Sequence, residues 1–158
     1  LLALAIGSST HKSLKRVQLE GNNIAEEGMV DIITALSMHP HLEWLALTGN
    51  RLHKNGCVAL ATLLQCSAKE LKYLFISRNE INDEGIEALV PVLMTCRHLQ
   101  SLYEHTDPSI TTRGWQSLAA ILEVPNSKFV KIYISHNNVD DEAVAAFANA
   151  LTNNHTLE

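Results

Sequence analysis

The sequence predicts an α/β solenoid, a row of like strand–turn–helix units stacked side by side. Two observations carry that prediction: a motif of apolar residues with one asparagine, and its return at a nearly constant interval. The clearest copy lies in 71–98, where Leu71, Leu74, Ile76, Asn79 and Ile81 fit L-x-x-L-x-L-x-x-N-x-L. Gly85, Leu89 and Leu93 then fall at helical spacing. One strand, one turn and one amphipathic helix are thus written in 28 residues. A unit this small has too little apolar surface to fold alone and must stack against copies of itself.

The copies are present. Upstream, Leu42, Leu45, Leu47, Asn50, Leu52, Gly56, Leu60 and Leu64 repeat the motif, and so do Leu14, Val17, Leu19, Asn22, Ile24, Gly28, Ile32 and Leu36. Downstream, Phe129, Ile132, Ile134, Asn137, Val139, Ala143, Phe147 and Leu151 form a fifth copy with Ala in place of Gly. Leu99, Leu102, Ile110, Gly114, Leu118 and Leu122 make an irregular fourth. Starts at 14, 42, 71, 99, 129 and 157 give periods of 28, 29, 28, 30 and 28.

This pattern resembles the ribonuclease-inhibitor-like class of leucine-rich repeats, whose long repeats carry a full helix. The resemblance implies a leucine-rich-repeat solenoid, or horseshoe, with a parallel β-sheet on its concave face and α-helices on its convex face. Residues 1–158 then form a single domain of five full repeats, with partial repeats at 1–13 and 157–158. Because both ends fall within a repeat and neither carries a polar cap, the chain is expected to be a fragment of a longer array. LLALAI at the start lacks the basic leader of a signal peptide and reads as the helix of a preceding repeat.

Taken in order, each repeat needs its asparagine where the strand ends. At Asn22, Asn50, Asn79 and Asn137 the side chain is expected to satisfy backbone groups that would otherwise be buried unpaired. The helices open on acidic residues, Glu26-Glu27, Asp83-Glu84 and Asp140-Asp141-Glu142, which oppose the positive end of the helix dipole. Pro91 inside the third helix removes one backbone bond and is expected to kink the helix or shift it outward. The fourth repeat breaks register. Counting forward from Leu99 puts Glu104 in a core slot and Asp107 in the asparagine slot, whereas counting back from Ile110 puts His105 and Pro108 there. One residue is therefore inserted, and a bulge or loop that spares Glu104 from burial is the cheaper solution. Glu104, His105 and Asp107 are candidate contact residues of that irregular repeat; without ligand pairs at a known spacing, they are not read as a metal site.

The residues between the leucines alternate toward the concave face. Five of the chain's eight aromatics fall there: Trp44, Tyr73, Phe75, Tyr103 and Tyr133. Trp44 and Tyr73 share one position in neighbouring strands, and Phe75, Tyr103 and Tyr133 share another, so two contacting ladders are expected. Lys15, Arg16, Lys72, Arg78 and Lys131 flank them against Glu20 and Glu43, an excess of three positive charges in a chain whose formal charge is −5. The convex side is then acidic. Exposed aromatic and arginine clusters are the usual anchors of protein interfaces.

Composition narrows the alternatives. No apolar run of 18 residues is present, which argues against a membrane span, and the overall negative charge disfavours nucleic acid. Cys57, Cys66 and Cys96 lack metal spacing. Cys66 and Cys96 hold near-equivalent places and a bridge between them is conceivable, but reduced thiols in a cytoplasmic protein are the simpler reading. The sequon Asn154-His155-Thr156 is one short match in a chain rich in Asn and Thr. His39, His41, His98 and His155 precede strands and read as solvated. No nucleophile elbow, phosphate loop or paired pocket carboxylates appear, so neither catalysis, nor a cofactor, nor a small-molecule substrate is expected. The expected role is a protein–protein interaction module. The resemblance also implies alternatives: a regulator of an enzyme or signalling GTPase, the sensor part of a NOD-like receptor, or a structural spacer, with tropomodulin-like actin capping as a variant of the last.

Overall fold

The computed structural model describes residues 13–124, 129–152 and 154–157. The helix expected over 1–8 lies outside the described residues, as does Glu158. Strands β1 (Arg16–Gln18), β2 (Trp44–Ala46), β3 (Tyr73–Phe75), β4 (Ser101–Tyr103) and β5 (Lys131–Tyr133) form one parallel sheet in chain order. Helices α1 (Glu26–Leu36), α2 (His53–Cys66), α3 (Asp83–Thr95), α4 (Thr112–Ala119) and α5 (Asp141–Leu151) follow the strands in turn, with a short 3-10 turn (Ala120–Glu123) after α4. This is an α/β solenoid.

The repeat positions meet row on row. Val17, Leu45, Leu74, Leu102 and Ile132 are registered partners across the five strands. Leu42, Leu71, Leu99 and Phe129 are wholly buried beside them. Each helix closes the stripe with one face. In α1 it is Met29, Ile32, Ile33 and Leu36; in α3 it is Ile86, Leu89, Val92 and Leu93. A buried leucine of this kind contributes ~1.5–3 kcal/mol relative to exposure. Pro91 sits on the exposed side of α3, which runs unbroken from Asp83 to Thr95.

Polar side chains link the repeats at two levels. At the strand ends, Asn50 Oδ1 accepts from Ile24 N–H at 3.0 Å while its Nδ2 donates to the Leu19 and Leu47 carbonyls, both at 2.8 Å. Asn79 accepts from Leu52 N–H and donates to Leu47 O at 3.0 Å and Ile76 O at 2.8 Å. Each asparagine thus ties its own strand to the one before. At the helix starts, Glu26 accepts from Asn55 N–H at 2.8 Å, and Asp83 from Thr111 N–H at 2.7 Å and Thr111 Oγ1 at 2.6 Å. The acidic starts serve as cross-repeat ties as well as dipole partners.

Glycine at the start of the helix keeps that approach open. A Cβ on Gly114 would stand 2.5 Å from Asp83 Oδ1, 2.8 Å from Ile110 and 3.3 Å from the Asp83 backbone. Asp83 is pinned by Thr111 and has no room to yield. Gly114→Ala is expected to destabilise the chain by ~1–3 kcal/mol, as overpacking does. Gly85→Ala meets only side-chain ends, of Ile81 at 3.0 Å and Cys57 at 3.1 Å, and is expected to cost less. Paired urea melts of the two variants check the order.

The fourth repeat corrects the sequence expectation. β4 keeps the forward count: Tyr103 pairs with Phe75 on one side and Tyr133 on the other. Glu104 therefore occupies the core slot, fully buried, and Asp107 takes the asparagine slot. The extra residue is absorbed after Asp107, in a turn at Pro108 and Ser109. Glu104 avoids the cost of a buried charge by keeping its proton. Burial first, then the neighbouring Asp107 carboxyl, pushes its pKa up to about 9. Its Oε2 accepts from Asn137 Nδ2 at 3.0 Å. Asp107 accepts from Asn79 N–H at 2.9 Å and Ile81 N–H at 3.3 Å, so an acid does the accepting half of the asparagine's work.

A column of left-handed residues runs immediately before the ladder. Gly21, Gly49, Arg78, Thr106 and His136 have φ of 69°, 72°, 55°, 67° and 59°. Gly21 N–H donates to Thr48 O, Gly49 to Ser77 O and Arg78 to His105 O, so the turn repeats the same backbone bond. Glycine takes this conformation freely, while a side chain there costs roughly 1–2 kcal/mol.

Candidate partner-binding face

Strand alternation turns the second and fourth residues after each leading leucine toward the open face of the sheet. Parallel pairing then aligns like positions: Arg16, Trp44, Tyr73, Ser101 and Lys131 in one row, and Gln18, Ala46, Phe75, Tyr103 and Tyr133 in the next. The rings are in contact. Trp44 lies 5.0 Å from Tyr73 between centroids and 4.7 Å from Phe75. Phe75 and Tyr103 stack at 4.1 Å and 14°, and Tyr103 and Tyr133 at 4.3 Å and 8°. Arg16 closes the series with its guanidinium 4.3 Å from the Trp44 ring.

The two expected ladders touch at Trp44, where the stack changes row, so the face carries one connected series of rings. Ala46 is the reason. Its small side chain, 1% exposed, leaves room for the indole to lean across toward Phe75. Ser101 is likewise covered, at 3% exposure, so neither residue is available on the face. Tyr133 at the far end is 39% exposed. Burial in the stack, followed by the Tyr133 hydroxyl, raises the pKa of Tyr103.

The flanking charges divide into two groups. Lys15 and Lys72 both grip Glu43, at 2.9 and 2.8 Å. Hydrogen bonding to Lys72 and Lys15 holds the Glu43 carboxyl down at about 2, and Glu43 in turn raises both lysines. That triad is largely self-satisfied. Arg78 and Lys131 are exposed, and neither has an ion-pair partner among the described residues.

The other candidate residues do not join this face as a group. Glu104 and Asp107 are buried beneath it, and His105 turns its Nδ1 to Thr106 Oγ1 at 3.1 Å. Asn22, Asn50, Asn79 and Asn137 act in the turns. His39 is 2% exposed, contrary to its expected solvation, because the loop before β2 folds onto the core. His41 pairs with Glu70 at 2.9 Å. All three cysteines are free, and burial raises the pKa of the Cys57 thiol. Asn154 of the sequon is occupied structurally: Nδ2 donates to Leu122 O at 2.9 Å and Oδ1 accepts from Thr156 and Leu157 N–H. On the helix side, the acidity is tempered by Lys54 on Glu84 and by Arg113 on Asp83 and Glu87. The left-handed column escaped sequence reasoning, although Gly21 and Gly49 at one motif position were its signal.

Stacked strand–helix repeats in one register define a repeat solenoid. The leucine-rich repeat family matches residues 10–32, 39–61, 70–90 and 126–148, and the chain belongs to that family. The irregular fourth repeat falls in the unmatched stretch. Among solved structures, the chain is similar to leiomodin-1 actin-binding site 2, with a TM-score of 0.78 and 18% identity over 95% of this chain and 86% of that one. It is also similar to the tropomodulin C-terminal domain of Caenorhabditis elegans, with a TM-score of 0.70 and 16% identity over 94% and 89%. These likenesses are of fold. No curated protein sequence matches the chain. No helix among the described residues is long and apolar enough to cross a membrane.

Proposed function

We propose that this domain is a non-catalytic recognition module that binds another protein through its concave face. The supporting observation is the unbroken stack from the Arg16 guanidinium through Trp44, Phe75 and Tyr103 to Tyr133, with Tyr73 against the indole. Rings held rigidly by one another lose little conformational freedom on binding, which is what makes an aromatic surface an effective anchor. Repeats of 28 to 30 residues with a helix in each favour the ribonuclease-inhibitor-like subclass. Three free cysteines accord with a cytoplasmic location.

The test is an affinity pull-down read by mass spectrometry, with the wild type beside a Trp44→Ala, Tyr73→Ala, Phe75→Ala triple variant shown to be folded by circular dichroism. Partners retained by the first are expected to vanish from the second, since hot-spot truncation costs ~2 kcal/mol or more, about 30-fold in Kd, per anchor. Unchanged capture would remove the concave face from consideration. An actin-directed role, like that named for leiomodin-1, is the second reading. It is supported by the shared fold, and co-sedimentation with filaments tests it.

A further inference from the structure

Resting on the concave-face reading, the structure also points to the part of that face that is specialised and to the chemistry that fits it. We infer that the half built by β3, β4 and β5 receives an extended acidic segment of a partner protein. Its apolar side chains would lie on the Phe75–Tyr103–Tyr133 stack, and its carboxylates would meet Arg78, Lys131 and His136.

Three observations converge there. The first is charge. Lys15 before β1 and Lys72 before β3 are both consumed by Glu43 and Arg16 lies over the Trp44 ring, but Arg78 and Lys131 stand exposed without an ion-pair partner among the described residues. The carboxyl groups of the fourth repeat, Glu104 and Asp107, are 0% and 1% exposed and withdrawn into the core. Glu80 is already engaged by Arg51 at 3.8 Å and His53 at 3.6 Å. The surface left to a partner is cationic, so complementarity selects an acidic one.

The second is placement. Arg78, Thr106 and His136 each follow a ring of the stack by three residues, so each lies within about 11 Å of its ring along the chain. Neighbouring repeats lie about 4.8 Å apart at the sheet. Rings and column therefore form parallel rows along one strip. The third is strain. At this column position the first two repeats carry glycine, whereas Arg78, Thr106 and His136 hold side chains at φ of 55°, 67° and 59°. The fold accepts glycine there, so the side chains are not required by the turn. Strained side chains held in place by their surroundings concentrate at binding sites. A nucleic acid would also stack on rings beside cations, but a formal charge of −5 disfavours it.

The experiment selects a displayed library of random 12-residue peptides on the whole chain. Enriched peptides are then titrated against wild type, an Arg78→Gly, Thr106→Gly, His136→Gly triple variant, Lys131→Ala, and a Phe75→Ala, Tyr103→Ala pair. Enriched sequences are expected to combine Asp or Glu with aromatic or aliphatic residues. The glycine triple is expected to bind at least ten-fold more weakly, although its Tm rises by roughly 5 °C on release of strain. Loss of binding with gain of stability separates a recognition role from a structural one. Uncharged or basic peptides that still need Phe75 and Tyr103 would overturn the acidic partner and leave the concave-face reading intact. So would a glycine triple that binds normally or gains no stability. Peptides indifferent to Phe75 and Tyr103, or no enrichment, would overturn both readings. Tighter binding of a dT12 oligonucleotide than of any peptide would overturn the partner class.

Discussion

Replacing Asn79 by alanine is expected to lower the unfolding free energy by ~3–5 kcal/mol. The residue is 0% exposed, accepts from Leu52 N–H, and donates to the carbonyls of Leu47, Ile76 and Ser77. Alanine supplies none of these bonds, and each buried group left unpaired costs about 1–3 kcal/mol. The loss falls at the junction of the second and third repeats, where a nearest-neighbour solenoid is most easily split. Trp44 lies on one side of that junction and Trp115 on the other, so two single-tryptophan versions report the halves separately. Their denaturant midpoints are expected to coincide in the parent and to separate in the variant. Asn22 is the control. It makes two similar carbonyl contacts but is exposed, and Asn22→Ala is expected to cost under ~1 kcal/mol. Equal losses at the two sites would show that burial is not what makes the ladder costly to break.

Glu104→Leu is expected to stabilise the protein at neutral pH by ~1–4 kcal/mol, because holding the buried carboxyl protonated above its ordinary pKa costs roughly 1.4 kcal/mol per pH unit. The slot is the one filled by Leu47 and Ile76 in the preceding repeats, and Asn137 Nδ2 keeps the Glu104 and Ile134 carbonyls as acceptors. The same variant removes a pH dependence whose sign follows from the shift. The folded pKa, at about 9, lies above the ordinary carboxyl value of 4.5, so the folded chain holds a proton that the unfolded chain releases. Stability from this group is fully present below pH about 4.5. It falls by roughly 1.4 kcal/mol per pH unit above that and levels off near pH 9. Asp107 and Asn137 face the carboxyl, and the buried Cys57 thiol is coupled to it electrostatically. Urea melts from pH 5 to 9 should show a downward slope in wild type that is largely absent from Glu104→Leu. Parallel slopes in the two would place the buried proton elsewhere.

How much was legible depended on whether a residue's place follows from period alone. The apolar slots of 14–98, the asparagines and the alignment of Phe75, Tyr103 and Tyr133 follow from the repeat, because a parallel sheet of like units copies register from strand to strand. The fourth repeat did not follow. Its length allowed two counts, and a buried glutamic acid looked prohibitive until its proton and its contact with Asn137 were known. The lean of Trp44 across Ala46 was equally hidden, since a diagonal ring contact depends on the volume of a neighbour's side chain. The pairing of Lys15 and Lys72 with one Glu43 commits two of the five flanking cations to a partner within the chain, which a count of charges does not reveal.

By itself the sequence determined the solenoid, its unit, the order of its strands and the face that carries the rings, because each is a consequence of spacing. Only the tertiary structure decided which charges remain uncommitted, which acid enters the core and which turns carry side chains in the left-handed region. Those depend on distances between residues some 28 positions apart, where burial can retain a proton and a hydrogen bond can fix a strained backbone.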